Sequence, residues 1–203
     1  SNAMLEIVLA SQNSSKLAEM QELLRDLEIK FIPQTEFSVP DIEETGSTFV
    51  ENAIIKARHA AKQTGLPALA DDSGLTIAAL NSAPGVFSSR YAGKNATDAE
   101  RIQKVLEALE AADDSDRSAS FHCVIALMEN ENDPAPLICH GVWEGEIARE
   151  PRGKNGFGYD PIFYVPSHQR TAAELDPQEK NAISHRGQAL EQLSTVLTEA
   201  FLV

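Results

Sequence analysis

Apolar and polar positions follow two different periods along this chain, and together they predict strands that alternate with amphipathic helices. Compact apolar runs at 6–10 and 30–33 have the length and composition of short strands. The segments 17–27 and 49–61 instead carry apolar residues three and four positions apart, which predicts one buried face on each of two helices. The N-terminal part is therefore predicted to run strand, polar turn, helix, strand and long helix.

The second half of the chain is predicted to contain a long strand pair and a C-terminal helix. The runs 119–128 and 135–147 are the strongest strand candidates, and the turn between them is rich in Asn, Asp and Pro. Thr97 stands where an N-cap would precede a further helix. A short strand at 161–165 and a helix that opens at 181–187 complete this pattern.

The stretch around which the rest is organised is an apolar run, 66–70, that leads directly into Asp71, Asp72, Ser73 and Gly74. We interpret it as a buried strand that ends near residue 70 and delivers two carboxylates to a cleft. Carboxylates are rarely buried unless they are paired or bind a metal. Hard oxygen ligands of this kind suit Mg²⁺ or Mn²⁺. A simple polar turn is the alternative, since Asp, Ser and Gly all suit turns.

Composition limits the partners that the protein can bind. The chain has 203 residues, enough for one sizeable domain or two lobes that share a core, and 31 acidic against 17 basic residues give a formal net charge of −14. Such a surface repels nucleic-acid backbones and anionic lipid, so we expect no direct nucleic-acid binding and no membrane binding. No apolar run approaches the roughly 20 residues of a membrane-spanning helix.

The termini and the cysteines carry little chemistry. Ser1-Asn2-Ala3 has the form of a scar left by tag removal. Cys123 and Cys139 each lie inside an apolar run, which predicts buried thiols and neither a disulfide framework nor a zinc site. No signal-peptide pattern is present, and the cytoplasm is the expected compartment.

Two polar segments have the residues of an anion site or a metal site. A turn joins the first strand to the first helix and consists of Ser11, Gln12, Asn13, Ser14, Ser15 and Lys16. Backbone N–H groups at a helix start, with a lysine in the first turn, favour an anion. The alternative is that Asn13 or Ser14 only caps the helix. Glu43 and Glu44 precede the next helix, where they either complement its dipole or partner the metal.

A glycine-rich loop follows the strand pair. Three of the six residues 153–158 are glycine, and Phe157, Tyr159 and Asp160 lie beside them. Glycine allows close backbone approach to a ligand, and the two rings offer faces on which a base can stack. The alternative is a tight turn whose rings plug the core.

Cations gather near the last helix. Lys180, His185 and Arg186 bring three donors to one helix N-terminus, where positive charge opposes the macrodipole unless an anion or a carbonyl-rich ligand lies between them. These cations, with Lys16 and Lys56, suit phosphates, the carboxylates suit a metal and the aromatic rings suit a base. Together they indicate a nucleotide substrate and metal-assisted phosphate chemistry. No Ser-His-Asp, Cys-His or zinc-ligand spacing is present.

Several short motifs, in a fixed order over nearly the whole chain, give this pattern a family resemblance. The most specific are Glu43-Glu44-Thr45-Gly46, Ala70-Asp71-Asp72-Ser73-Gly74-Leu75, Ser89-Arg90-Tyr91-Ala92-Gly93, Gly156-Phe157-Gly158-Tyr159-Asp160-Pro161 and Ser184-His185-Arg186-Gly187. They resemble the inosine/xanthosine triphosphate pyrophosphatase family. Gln12 departs from the glycine usual in that family's first turn, where Asn13 and Lys16 are the expected substrate contacts.

The resemblance implies a fold, a reaction and an assembly. The fold would be α/β, with an elongated mixed β-sheet, flanking helices and two lobes around a central nucleotide-binding cleft, all in a single domain over 4–203. The reaction would convert dITP, ITP or XTP to the nucleoside monophosphate and pyrophosphate, which keeps these nucleotides out of DNA and RNA. The resemblance also implies Mg²⁺ as cofactor, with Mn²⁺ as a substitute, and a homodimer.

The family's site residues carry over onto matching positions of this chain. Asp72 is the expected catalytic carboxylate, either as general base or as the group that holds a metal-bound water, and Glu43 is its metal partner. The resemblance implies the following substrate-binding residues: Ser11, Gln12, Asn13, Ser14, Ser15, Lys16, Lys56, Ser73, Phe157, Gly158, Tyr159, Asp160, Lys180, His185 and Arg186.

The resemblance also implies a role for each group of these residues. The three lysines would hold phosphates, and Phe157 and Tyr159 would sandwich the purine. Asp160, His185 and Arg186 would read its edge. Inosine and xanthine carry a 6-keto acceptor where adenine carries a 6-amino donor, so a site that offers donors there rejects adenine.

Two other functions stay open on the sequence. One is a Maf-like pyrimidine nucleotide pyrophosphatase, against which the aromatic pair and His185-Arg186 argue. The other is a non-catalytic nucleotide sensor, against which the intact set of carboxylates argues.

Overall fold

The computed structural model describes residues 4–202, and their side chains as far as residue 199. The segment Ser1-Asn2-Ala3, interpreted as a tag scar, lies outside this range. The strands are β1 (Leu5–Leu9), β2 (Ile29–Pro33), β3 (Ala68–Ile77), β4 (Ser118–Met128), β5 (Leu137–Ile147), β6 (Phe163–Val165) and β7 (Arg170–Thr171). The α-helices are α1 (Ser14–Leu24), α2 (Phe49–Thr64), α3 (Asp98–Ala112), α4 (Pro177–Ile183) and α5 (His185–Leu202).

The strands of the described chain form one seven-stranded sheet in the order β2-β1-β3-β4-β5-β6-β7. Strand β1 pairs in parallel with β2 and β3, whereas β6 pairs antiparallel with β5 and β7. The sheet is therefore mixed, and the predicted α/β class with flanking helices is confirmed. Within the described range, no helix is both long enough and apolar enough to cross a membrane.

The course of β3 differs from the prediction. The strand does not end near residue 70, nor do residues 71–74 form a turn, because β3 continues without interruption to Ile77. Asp71 and Asp72 are buried at 2% and 6% exposure, and Leu75 and Ile77 beyond them are fully buried. Buried apolar residues of β3 thus precede and follow the two carboxylates, which are themselves buried residues of the strand.

The chain divides into two compact units. Unit 1 comprises the described residues of 1–72, 123–141 and 186–203, and unit 2 comprises 73–122 and 142–185. In unit 1, alternate residues of β1 enter two different apolar clusters, with Ile7 in one and Val8 in the other, so the sheet is covered on both faces. Cys123 and Cys139 are buried in the first of these clusters, as predicted.

A separate apolar cluster forms the core of unit 2. It joins the C-terminal part of β3 and helix α3 to the aromatic residues Phe121, Trp143 and Phe163. The ring centroids of Phe121 and Phe163 lie 4.3 Å apart. Helix α3 begins with a capping box between Thr97 and Glu100, as the sequence predicts for Thr97.

Asn52 fastens the acidic loop that precedes α2. Its side chain is fully buried, its Oδ1 accepts the Gly46 N–H at 2.8 Å and its Nδ2 donates to the Gly46 carbonyl at 3.3 Å. The loop carrying Glu43 and Glu44 is therefore held by the Asn52 side-chain amide, which forms hydrogen bonds with both the N–H and the carbonyl of Gly46.

We predict that Asn52→Ala lowers the free energy of unfolding by about 1–3 kcal/mol, because it removes both hydrogen bonds to the half-buried backbone of Gly46. Urea denaturation measures this change. The exposed residue Asn132 offers a matched control, and Asn132→Ala should stay within about 0.5 kcal/mol of the wild type. Equal stability of the two variants would contradict the anchoring role of Asn52.

Candidate active site

The alternation of β3 sends its two adjacent carboxylates to opposite faces of the sheet. Asp71 shares a face with Leu69, which belongs to the apolar cluster of β1, α1 and α5. Asp72 shares a face with Ala70, which belongs to the cluster packed on α2. Each carboxylate therefore meets cations from a different set of helices.

Asp71 is the centre of a buried ionic network in unit 1. Its Oδ2 lies 3.4 Å from Arg186 Nη2 and 3.5 Å from Lys16 Nζ, and Cys123 Sγ donates to the same oxygen at 3.9 Å. Arg186 Nη1 donates to Glu19 at 2.7 Å. Burial alone lowers the pKa of Arg186, but Asp71 and Glu19 outweigh it and raise that pKa, so the guanidinium stays charged.

Asp72 has a less favourable electrostatic environment. Lys56 Nζ lies 3.4 Å from Asp72 Oδ1 but only 2.8 Å from Glu44 Oε1, so two carboxylates share one ammonium. Burial raises the pKa of Asp72 to about 6; Glu44 adds to this rise, while Lys56 opposes it. Burial likewise lowers the pKa of Lys56, but the surrounding carboxylates outweigh it and raise that pKa. A carboxyl group poised near neutral pH is suited to accept a proton.

The donor set of unit 1 fits a hard divalent cation. Asp72 Oδ2 is buried and has no hydrogen-bond partner among the described residues, which leaves one charged oxygen available. No group of three His, Cys, Asp or Glu side chains within the described range could enclose a metal by itself. Mg²⁺ is often held by one or two carboxylates together with substrate phosphates, so a single strong oxygen donor is consistent with it.

The structure pairs Glu44, and not Glu43, with Lys56. Glu43 is exposed on the same loop, and its predicted contact with the metal stays a prediction. Glu44 forms an ion pair with Lys56, whereas Glu43 forms no ion pair with any described residue.

The first polar turn caps helix α1. Asn13 Oδ1 accepts the N–H groups of Ser15 and Lys16 at 3.0 and 3.1 Å, so the capping alternative is confirmed for this residue. Ser11 Oγ in turn accepts the Asn13 N–H at 3.1 Å, and Gln12 and Ser14 are exposed. The anion-binding role of this turn stays a prediction.

The glycine-rich loop of unit 2 is held by a buried ion pair. Asp160 Oδ2 accepts the Lys180 ammonium at 2.8 Å and the Phe157 N–H at 3.0 Å, and both charged side chains are almost fully buried. Lys180 Nζ also lies 4.8 Å from the centre of the Phe157 ring. At Gly156 (φ +71°), an added Cβ would collide with Asp160 Oδ2, so this glycine leaves room for the pair. The contacts place Lys180 beside the aromatic loop.

Phe157 and Tyr159 have different environments. Phe157 is half-buried, whereas Tyr159 is 5% exposed within the core of unit 2 and donates its hydroxyl to the Ser88 carbonyl at 2.6 Å. Burial raises the pKa of Tyr159, so the hydroxyl stays a donor. Tyr159 thus lies in the core, as the alternative of a tight turn with buried rings predicts, whereas the ring of Phe157 is partly accessible.

The remaining candidates of unit 2 lie near its aromatic core. His185 is 5% exposed and stacks on Phe121, with ring centroids 4.7 Å apart and planes inclined by 14°. Ser73 is half-buried in β3. The stacking fixes the orientation of the His185 ring.

The structure adds two charged residues, Glu19 and Asp98, to the candidate site that the sequence predicts. Glu19 binds Arg186, and a usable signal existed, because Glu19 lies three residues after Lys16 on one helix and therefore on the same face. Asp98 accepts the N–H of Gly158 at 2.9 Å, and its distance of 60 residues from that glycine gave no such signal.

A mixed α/β sheet that buries two adjacent carboxylates against lysine and arginine defines a protein suited to acid–base or metal-assisted chemistry on an anionic substrate. The model of the Ham1 family matches residues 7–196. The chain belongs to the Ham1 family.

Known relatives are similar over nearly their whole length. A dITP/XTP pyrophosphatase of Vibrio vulnificus is 54% identical over 98% of this chain and 100% of its own. A dITP/XTP pyrophosphatase of Escherichia coli K12 is 54% identical over 96% of this chain and 98% of its own. The solved structure of the Staphylococcus aureus Ham1 protein matches with a TM-score of 0.86 at 43% identity, over 96% of this chain and 99% of that one.

The raised pKa of Asp72 predicts a pH-dependent gain in stability for Asp72→Asn in metal-free buffer. Between pH 4 and 6 the folded wild type retains a proton that the unfolded chain has released, so wild-type stability falls as pH rises. The variant does not titrate there. Its advantage in unfolding free energy should therefore grow through this range and level off above pH 6, at up to about 3 kcal/mol.

Urea denaturation from pH 4.5 to 7.5, with a chelator present, measures this difference. Asp26→Asn removes one negative charge from an exposed site and serves as the control. A difference between Asp72→Asn and wild type that does not change with pH would contradict the assigned titration.

Proposed function

We propose that this chain hydrolyses the non-standard purine nucleoside triphosphates dITP, ITP and XTP to the nucleoside monophosphate and pyrophosphate. The observation that carries the proposal is the buried Asp72, which has Lys56 beside it, a pKa of about 6 and one oxygen that forms no hydrogen bond with any described residue. Relatives named dITP/XTP pyrophosphatases, similar over almost the full chain, support the choice of substrate and bond. The reaction removes these nucleotides before they enter DNA or RNA.

The charged residues of unit 1 divide the work of phosphate chemistry. Asp72 and Glu43 would hold Mg²⁺, or Mn²⁺ in its place, which neutralises the triphosphate when bound. Burial raises the pKa of Asp72 and so offsets the fall that a bound cation would cause, which leaves this carboxylate suited to accept the proton of the attacking water. Lys16 and Lys56 supply positive charge for the phosphates and for the pyrophosphate as it leaves.

The first step of binding requires the lysines to change partners. Lys16 pairs with Asp71, and Lys56 pairs with Glu44 and Asp72. Arg186 also lies against Asp71, so this carboxylate keeps a counter-charge when Lys16 turns to a phosphate. Asp71 is thus the carboxylate that holds Lys16 and Arg186 in place, and Asp72 is the carboxylate that acts.

The aromatic residues of unit 2 suit the purine. Phe157 offers a half-buried ring with an ammonium near it, and His185 offers a ring nitrogen from a fixed orientation. A donor at the base edge is satisfied by the 6-keto group of hypoxanthine or xanthine and opposed by the 6-amino group of adenine. The family resemblance further supports a homodimer, and the two free, buried cysteines agree with the cytoplasm as its compartment.

The proposal is tested by pyrophosphate release with Mg²⁺ from dITP, XTP, dATP, dGTP and dTTP. We expect rapid release from dITP and XTP, with the monophosphate as co-product, and a loss of at least about 1,000-fold in Asp72→Asn because proton transfer and metal binding both fail. Asp26→Asn, with an exposed carboxylate, should keep wild-type activity.

Other outcomes identify the competing functions. Preferential release from dTTP would indicate the Maf-like pyrimidine activity. Tight dITP binding without any product would indicate a nucleotide sensor, and undiminished turnover by Asp72→Asn would remove Asp72 from the mechanism.

A further inference from the structure

Helix α3 and the glycine-rich loop of unit 2 are joined by a hydrogen bond that the reaction described above does not use. Asp98, the first residue of α3, accepts the Gly158 N–H on its Oδ2 at 2.9 Å. The cap of α3 is already made by Thr97 and Glu100. Asp98 is therefore not needed to start the helix, and its carboxylate is directed at a loop 60 residues away.

Asp98 is itself held in place by Arg101. The guanidinium Nη2 donates to Asp98 Oδ1, while Nη1 donates to the Ala96 carbonyl at 2.7 Å and to the Ser89 carbonyl at 3.1 Å. One oxygen of Asp98 is thus fixed to the helix and its preceding turn, which leaves the other oxygen aimed at Gly158. A hydrogen bond to an ionised carboxylate is stronger than one between neutral groups.

The position of this bond relative to Phe157 is informative. The Gly158 N–H belongs to the peptide unit that follows Phe157, and the Phe157 N–H belongs to the peptide unit that precedes it. Asp98 holds the following unit and Asp160 holds the preceding one. Two carboxylates therefore fix both peptide planes around the Cα of Phe157, which sets the direction of its Cα–Cβ bond and restricts the rotamers that its ring can adopt.

The backbone at Gly158 depends on this arrangement. Gly158 has φ +63°, a left-handed conformation that favours glycine, although an added Cβ would meet no atom within 4 Å. The next residue, Tyr159, is fixed independently by its hydroxyl bond to Ser88. Only Asp98 holds the intervening N–H among the contacts of the described loop.

We propose that Asp98 is a positioning residue for purine binding, which acts by fixing the peptide after Phe157 and so the orientation of the stacking ring. The inference rests on the proposed function, because it assigns Phe157 to the base of the substrate. Its consequence is specific: loss of Asp98 weakens binding of the base and leaves binding of the phosphates unchanged.

The test compares Asp98→Ala with Asp98→Asn and with Glu100→Gln. Alanine removes the acceptor, whereas asparagine keeps an oxygen that can accept the Gly158 N–H. Glu100→Gln perturbs the capping box of the same helix without touching Gly158, so it controls for a general weakening of α3. Calorimetry measures the Kd of inosine monophosphate and of pyrophosphate separately, and steady-state kinetics with dITP gives kcat and KM.

We expect Asp98→Ala to raise both the Kd of inosine monophosphate and the KM of dITP about tenfold, the cost of one charge-assisted hydrogen bond that orients a ligand-binding ring. The Kd of pyrophosphate and kcat should stay within about twofold of the wild type, because unit 1 is unchanged. Asp98→Asn should recover only part of the lost affinity, because its single uncharged oxygen can accept from Gly158 or from Arg101 but not from both. Glu100→Gln should bind inosine monophosphate like the wild type.

Two results would overturn the inference: wild-type affinity for inosine monophosphate in Asp98→Ala, or equal losses for inosine monophosphate and pyrophosphate in both Asp98→Ala and Glu100→Gln. Failure of the proposed function is seen separately, in the wild type. If the wild type binds inosine monophosphate but releases no pyrophosphate from dITP, the proposed reaction is wrong. The role of Asp98 can then still be tested by the Kd of inosine monophosphate. A wild type that neither binds inosine monophosphate nor releases pyrophosphate from dITP overturns both.

Discussion

Two adjacent carboxylates inside one strand, Asp71 and Asp72, are the constraint on which the structure of unit 1 depends. A buried charge without a partner costs several kcal/mol, so each face of β3 must supply a cation. Lys16 and Arg186 meet Asp71 on one face, and Lys56 meets Asp72 on the other. Lys16 in the first turn of α1, Arg186 in the first turn of α5 and Lys56 within α2 are therefore held against β3 by charge as well as by apolar packing.

Much of this arrangement follows from the sequence. Helical and strand periods predict most elements, and Thr97 marks the start of its helix correctly. The family motifs give the fold class and the identity of the charged residues. The course of β3 is the main error, because Asp-Asp-Ser-Gly has the local chemistry of a turn. Tertiary ion pairs stabilise it as a strand, and no local pattern reports them.

Partner choice is the part of the site that the sequence leaves open. Glu43 and Glu44 are equivalent in the sequence, and only the fold decides that Glu44 pairs with Lys56. Lys180 has the chemistry of a phosphate ligand, yet its visible partners are Asp160 and the ring of Phe157. In both cases a contact between distant segments settles a choice that residue type and spacing leave undecided.

We propose that Asp72 is a buried carboxyl group whose pKa, raised to about 6, suits it to accept a proton. Carbon-13 NMR of protein labelled at the aspartate side-chain carboxyl carbons, in metal-free buffer, measures this directly. We expect one carboxyl resonance that titrates with a midpoint near pH 6 and is absent from Asp72→Asn. Its midpoint should move to lower pH when Mg²⁺ is added. An Asp72 resonance that titrates below about pH 4, the usual range of aspartate, would contradict it.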